Sequence, residues 1–133
     1  MDDESLIELA KEARAHAYVP YSGFAVGAAA LAPDGRVFLG CNIENASYGL
    51  TNCAERTAIF SAVAAGVQRF AALAVVADGE LPCSPCGACR QVIAEFAVER
   101  IILANLAGKR RVVTKEDLLP FAFTLEEKSL PSD

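Results

Sequence analysis

Thr51–Phe60, "TNCAERTAIF", places a cysteine, a glutamate two residues later and then an arginine at the mouth of an otherwise apolar segment. A packed helix needs only the Ala, Ile and Phe; the thiol and the two opposite charges call for a chemical reason. The segment predicts a helix from about Cys53 to Ala65, closed by Gly66. Just downstream, "FAALAVVA" lacks polar alternation and reads as a fully buried strand. The loop "DGELPCSPCG" follows it, then the short helix "ACRQVIAEFA" and a second buried strand, "RIILANL". Helices alternating with buried strands give a sheet covered on both sides.

The flanks agree with this. Leu6, Ile7, Leu9, Ala10, Ala13 and Ala17 recur at helical spacing, so residues 4 to 17 should form an amphipathic helix. "FAVGAAALA", the turn Pro33-Asp34-Gly35 and "RVFLGCNI" make a hairpin. Residues 45–52 read as a polar loop, "RRVVT" as a short strand after Gly108, and residues 115–119 as a helical turn ended by Pro120. The expected fold class is α/β, with three α-β-α layers and a mixed five-stranded sheet. One domain should span residues 1–133, with its core at about 4–125 and a polar, mobile tail at 126–133.

Composition limits the partners. The chain has 133 residues, 53% hydrophobic and 22% charged, with a formal net charge of -5. That is a globular composition, and its acidity disfavours nucleic acid or an anionic membrane surface and favours a small polar ligand. "MDDESLIELA" has no basic region followed by an apolar one, and no apolar run reaches a membrane span, so the expected location is cytoplasmic. Five cysteines, at 41, 53, 83, 86 and 89, are an odd number, and three of them crowd into seven residues. In a reducing compartment this points to metal or redox chemistry over a disulfide framework.

Cys86 and Cys89 open one expected helix and Cys53 opens the other. A turn entering a helix sets residues i and i+3 side by side, so C-x-x-C can converge on one metal, and a thiolate from another element makes three ligands. Three protein ligands are the pattern of a catalytic zinc with one open position. Helix N-termini favour thiolate charge. Arg56, and to a lesser extent Arg90, could donate to the sulfurs and drain charge from them. Glu55 is placed to move a proton beside the metal without binding it. C-x-x-C alone also suits a redox pair or half of a structural zinc site, for which Cys83 would be the available fourth ligand. Cys83 reads better as a loop residue, Cys41 as core and His16 as solvent-facing.

Cys53-Ala54-Glu55 together with Pro85-Cys86-Gly87-Ala88-Cys89 resembles the signature of the zinc-dependent nucleoside and nucleobase deaminases. The flanks "PYSGFAVGAAAL", "GCNIENASYGLTNCAERTAIF", "PCGACRQVIAEF" and "LLPFAF" are similar to the cytidine deaminase family of small, homotetrameric type, over residues 18 to 123. The resemblance implies one zinc ion per subunit on Cys53, Cys86 and Cys89. It implies metal-assisted hydrolysis at C4 of cytidine or 2′-deoxycytidine in pyrimidine salvage, with Glu55 as proton shuttle. By the same resemblance, Phe24 packs at sugar and base, Asn42 and Glu44 hold the ribose 3′-hydroxyl, and the backbone of Ala54 meets the base edge. Ala46 and Tyr48 match positions that contact a neighbouring subunit. Phe123 matches an aromatic residue that stacks on the base from a neighbouring chain, active sites lying near subunit interfaces. Where the family commonly has Gly, this chain has Phe121, and either phenylalanine could be the stacking ring. Strand alternation sets Asn42 and Glu44 on one side of the chain, and the acid suits a hydroxyl while repelling a phosphate, favouring a nucleoside over a nucleotide. Among the rivals, "CNIEN" and the C-terminal Phe count against a deaminase for other aminopyrimidines or aminopurines. The acidic charge counts against a polynucleotide-editing enzyme. A thiol-redox module would have no use for Glu55.

Overall fold

The computed structural model describes residues 1–125; the tail expected at 126–133 lies outside the described residues. Helix α1 (Asp3–Arg14) precedes a hairpin of β1 (Val26–Leu31) and β2 (Val37–Cys41). Then come α2 (Ala54–Ala64), β3 (Ala72–Ala77), α3 (Gly87–Glu95), β4 (Ile101–Asn105), β5 (Arg110–Val113) and the short α4 (Lys115–Leu118). The five strands form one sheet in the order β2-β1-β3-β4-β5. Only β3 and β4 are parallel, and α3 is their crossover. The sheet is therefore mixed, with helices on both faces.

Side-chain alternation divides the core into two. Ala29, Ala74, Val76, Ile102 and Ala104 meet Leu6, Ile7 and Ala10 of α1 on one face. Ala28, Ala30, Leu73, Val75, Ile101 and Leu103 meet Ala54, Ala58, Ile59 and Ala62 of α2 and Ile93 of α3 on the other. All six residues of β3 are buried, which explains why its sequence shows no period of two.

One helix end and one strand start move from their expected positions. Helix α1 stops at Arg14, short of Ala17, because the amides of Ala15, His16 and Ala17 turn to carbonyls three residues back. This tightened turn frees Tyr18 to exchange backbone bonds with Asn42 and Glu44. Strand β1 begins at Val26, because Asn42 replaces ladder bonds with its side chain: its Nδ2 donates to the Phe24 carbonyl at 2.7 Å and its Oδ1 accepts from Val26 N–H at 2.9 Å. The loop at residues 45–52 contains one 3-10 turn, Tyr48–Leu50.

Gly40 sets how closely α2 approaches the sheet. A Cβ at this position would sit 2.4 Å from the Ala54 carbonyl oxygen and 2.4 Å from Ala58 N. These are backbone atoms of the helix that carries Glu55, so they yield only if α2 lifts away. Gly40→Ala should therefore cost about 3 kcal/mol, the upper end of overpacking penalties. A fall in the urea midpoint at unchanged m-value checks this, and an unaltered midpoint would show that α2 has room to move.

Candidate metal and active site

Helix α2 ends close to the start of β3, so it runs back across the sheet and its N-terminus lies beyond the C-terminal end of β3. Helix α3 starts from that same end. The topology thus brings two helix N-termini together outside the carboxyl ends of the parallel pair, where α/β sheets place ligands. Cys53 is the N-cap of α2 and Cys86 the N-cap of α3, and neither caps its helix through a side-chain hydrogen bond. Both sulfurs are therefore left to face each other, while the helix N–H groups supply positive potential.

The Sγ atoms of Cys53, Cys86 and Cys89 all lie within 4.8 Å of one another. Cys53 and Cys86 are 3.7 Å apart. Zinc–sulfur bonds of ~2.3 Å in a tetrahedron place sulfurs ~3.8 Å apart, so the donor set fits zinc in both chemistry and spacing. All five cysteines are free. Cys83 lies outside the trio, half-buried, and burial pushes its thiol up to about 11. Within the trio, a hydrogen bond from Cys89, helped by Arg56 and Cys86, draws Cys53 down to about 5, while Cys89 moves up as the proton donor.

Arg56 Nη2 donates to Cys53 Sγ at 3.3 Å, while its buried Nε has no partner among the described residues. Arg90 does not serve the sulfurs. Its donors go to the carbonyls of Pro85 and Leu118, at 2.9 and 2.8 Å, and to Ser84 Oγ at 2.8 Å. Arg90 instead braces the loop that carries Cys86 against the end of α4. Its position one residue after a cysteine gave no hint of this, because Leu118 is distant in sequence.

Glu55 is the second residue of α2 and is 4% exposed. Burial, reinforced by the charge of Cys53 and opposed by its own backbone N–H and by Arg56, pushes its carboxyl up to about 7. An acid poised near neutrality can both take and return a proton. Ala54, also buried, lies between it and Cys53.

A cleft of about 420 Å3 is lined by Tyr21, Ser22, Glu44, Tyr48 and Thr51. Glu44 Oε1 accepts from the backbone N–H groups of Tyr21 and Ser22, at 2.9 and 3.2 Å, and Oε2 accepts from the Ser22 hydroxyl. That hydroxyl bond, with the two N–H bonds, holds the Glu44 carboxyl below its ordinary range. The Tyr21 and Tyr48 rings meet edge to face at 6.0 Å. Asn42 and Glu44 both reach the turn at residues 21–26, and Phe24 is half exposed beside them. Ala46 sits in the exposed loop preceding Tyr48. Tyr21, Ser22 and Thr51 escaped the sequence reading; a hydroxyl beside a turn glycine was the available signal.

Phe121 and Phe123 do not line this cleft. Both rings project into solvent, and the Phe123 carbonyl accepts from Gln91 Nε2 at 3.0 Å. Phe121 has φ 56°, in the left-handed region that favours glycine. The chain thus keeps the turn a glycine would make there and carries a strain of about 1 kcal/mol in it.

Sulfurs at paired helix N-termini beside a buried acid, all at one end of a mixed sheet, place the protein among the zinc-dependent deaminases. More narrowly, the chain belongs to the cytidine and deoxycytidylate deaminase family: the model of that family's zinc-binding region matches residues 1–105. A cytidine deaminase of Sporosarcina psychrophila is 58% identical, over 100% of this chain and 99% of its own. One from Halalkalibacterium halodurans is 57% identical, over 96% and 98%. The crystal structure of a cytidine deaminase from Burkholderia pseudomallei matches the fold with TM-score 0.90 at 57% identity, covering 92% of this chain and 100% of that one. Among the described residues no helix is long and apolar enough to cross a membrane.

Proposed function

We propose that this protein hydrolyses cytidine and 2′-deoxycytidine to uridine and 2′-deoxyuridine, releasing ammonia, as a cytoplasmic enzyme of pyrimidine salvage. The observation that carries this reading is Glu55, buried next to three converging sulfurs. Cys53, Cys86 and Cys89 would hold a zinc ion, which would supply the Lewis acidity that makes a water acidic near neutral pH. Glu55 takes one proton from the attacking water and delivers it to N3 of the pyrimidine, then takes the second from the hydroxyl added at C4 and delivers it to the departing nitrogen. The C4–N bond breaks, the water oxygen becomes the uracil carbonyl, and the exocyclic amine leaves as ammonia. Arg56, bonded to Cys53, draws negative charge from the thiolates so that they blunt the metal's acidity less.

The cleft receives the sugar. Asn42 has used one of its two Nδ2 hydrogens, and Glu44 has used three of its roughly four acceptor positions. One donor and one acceptor remain, the complement of a single hydroxyl, here the 3′-hydroxyl. The Glu44 charge repels a phosphate. Phe24 packs against sugar and base, and the Ala54 backbone meets the base edge. Phe123 faces solvent in its own chain and stacks on the base of another copy in a homotetramer, to which Ala46 and Tyr48 also contribute contacts. The whole chain acts as one catalytic domain.

Incubating the zinc-loaded protein with cytidine tests this reading. Stoichiometric ammonia and loss of the cytosine absorbance are expected, and intact cytidine with no ammonia would overturn it.

A further inference from the structure

Three donors hold Glu44, and two of them belong to Ser22: its backbone N–H, at 3.2 Å from Oε1, and its hydroxyl, on Oε2. The same Ser22 Oγ accepts from Phe24 N–H at 3.0 Å. One hydroxyl therefore joins the carboxylate in the cleft wall to the backbone of the neighbouring aromatic residue. Gly23, at φ 70°, supplies the bend that makes this possible. The two backbone donors both grip Oε1, which leaves Oε2 free to swing about that anchor. The Ser22 hydroxyl is the bond that stops it. Glu44 is half-buried at the cleft and has three rotatable bonds, so without this bond it would sample orientations that do not face the cleft.

We propose that Ser22 is a positioning residue for sugar recognition: its hydroxyl fixes Glu44 Oε2 so that the remaining acceptor position of that oxygen faces a sugar hydroxyl in the cleft. The inference rests on the functional reading above, in which the cleft takes the sugar of a nucleoside. Ser22 acts through Glu44 and touches no reacting atom, so its removal weakens binding and leaves the chemical step alone. It also acts through one hydroxyl of the substrate, so a nucleoside lacking that hydroxyl is indifferent to it.

The test compares wild type, Ser22→Ala, Glu44→Gln and the double variant, each zinc-loaded and full length, on cytidine and on 3′-deoxycytidine. Ser22→Ala should raise KM for cytidine on the order of tenfold, the loss expected for one hydrogen bond to a charged group. Its kcat should change by less than about twofold, and its KM for 3′-deoxycytidine should equal that of wild type. In the Glu44→Gln background the Ser22→Ala change should add nothing. An unchanged KM for cytidine, an equal rise for both nucleosides, or effects that add in the double variant would each overturn the proposal. Wild type inert toward cytidine would instead remove the functional reading beneath it, a result distinct from any of these.

Discussion

Glu55→Gln should lower kcat for cytidine by about 10³-fold or more while zinc content and fold are retained. General acid–base groups contribute roughly 10²–10⁴ in rate, and in the proposed mechanism one carboxyl both accepts and returns protons, so the upper part of that range is expected. A factor of 10³ corresponds to about 4 kcal/mol of transition-state stabilisation. Glutamine keeps the shape and can still bond a base nitrogen, but it cannot carry the proton. Glu55 is buried, and burial raises its carboxyl to about 7, so replacing it with a neutral isostere removes a desolvated acid and should not lower the melting temperature. Steady-state kinetics, metal analysis and thermal melting together check this. A variant with kcat within tenfold of wild type would take the proton shuttle away from Glu55.

Cys89→Ala should abolish zinc-dependent stabilisation along with activity. Cys89 is fully buried as the third residue of α3, and its sulfur joins those of Cys53 and Cys86. Removing a ligand should weaken zinc by more than the 10–100-fold cost of losing an outer hydrogen-bond partner. A ligand that binds only the folded state stabilises it by about 4 kcal/mol at 1,000 times its Kd. For a chain of this length that amounts to roughly 10–15 °C in Tm. Adding zinc to the metal-stripped wild type should produce such a rise, and the variant should show little of it. Equal rises in both proteins would mean that zinc does not rest on this sulfur. Comparing each protein with and without zinc separates the lost ligand from the small cavity that alanine leaves.

Much of this was legible along the chain. The unbroken apolar runs of β3 and β4 could only be strands buried on both faces, and Pro33-Asp34-Gly35 could only be a turn. C-A-E and P-C-x-x-C have meaning because capping and the helical repeat place residues i and i+3 together. The sulfur trio and Glu55 were readable for that reason. Arg90 illustrates the opposite case: adjacent to a ligand in sequence, it spends its donors on Pro85, Ser84 and Leu118. Phe121, in place of a glycine, left open whether the local turn would change, and the backbone keeps the left-handed conformation.

By itself, then, the order of residues determined the sequence of elements, the cysteine donor set and the acid proposed to carry the proton, because these depend on spacings of two to four residues within single elements. The tertiary structure alone decided that Ser22 and Glu44, far apart in sequence, share two hydrogen bonds, and that Gly40 lets α2 rest on β2. It also decided that the two cysteine-bearing N-termini meet at one end of the sheet. Contacts of that kind depend on how the strands cross, and no local period in a sequence records the crossing.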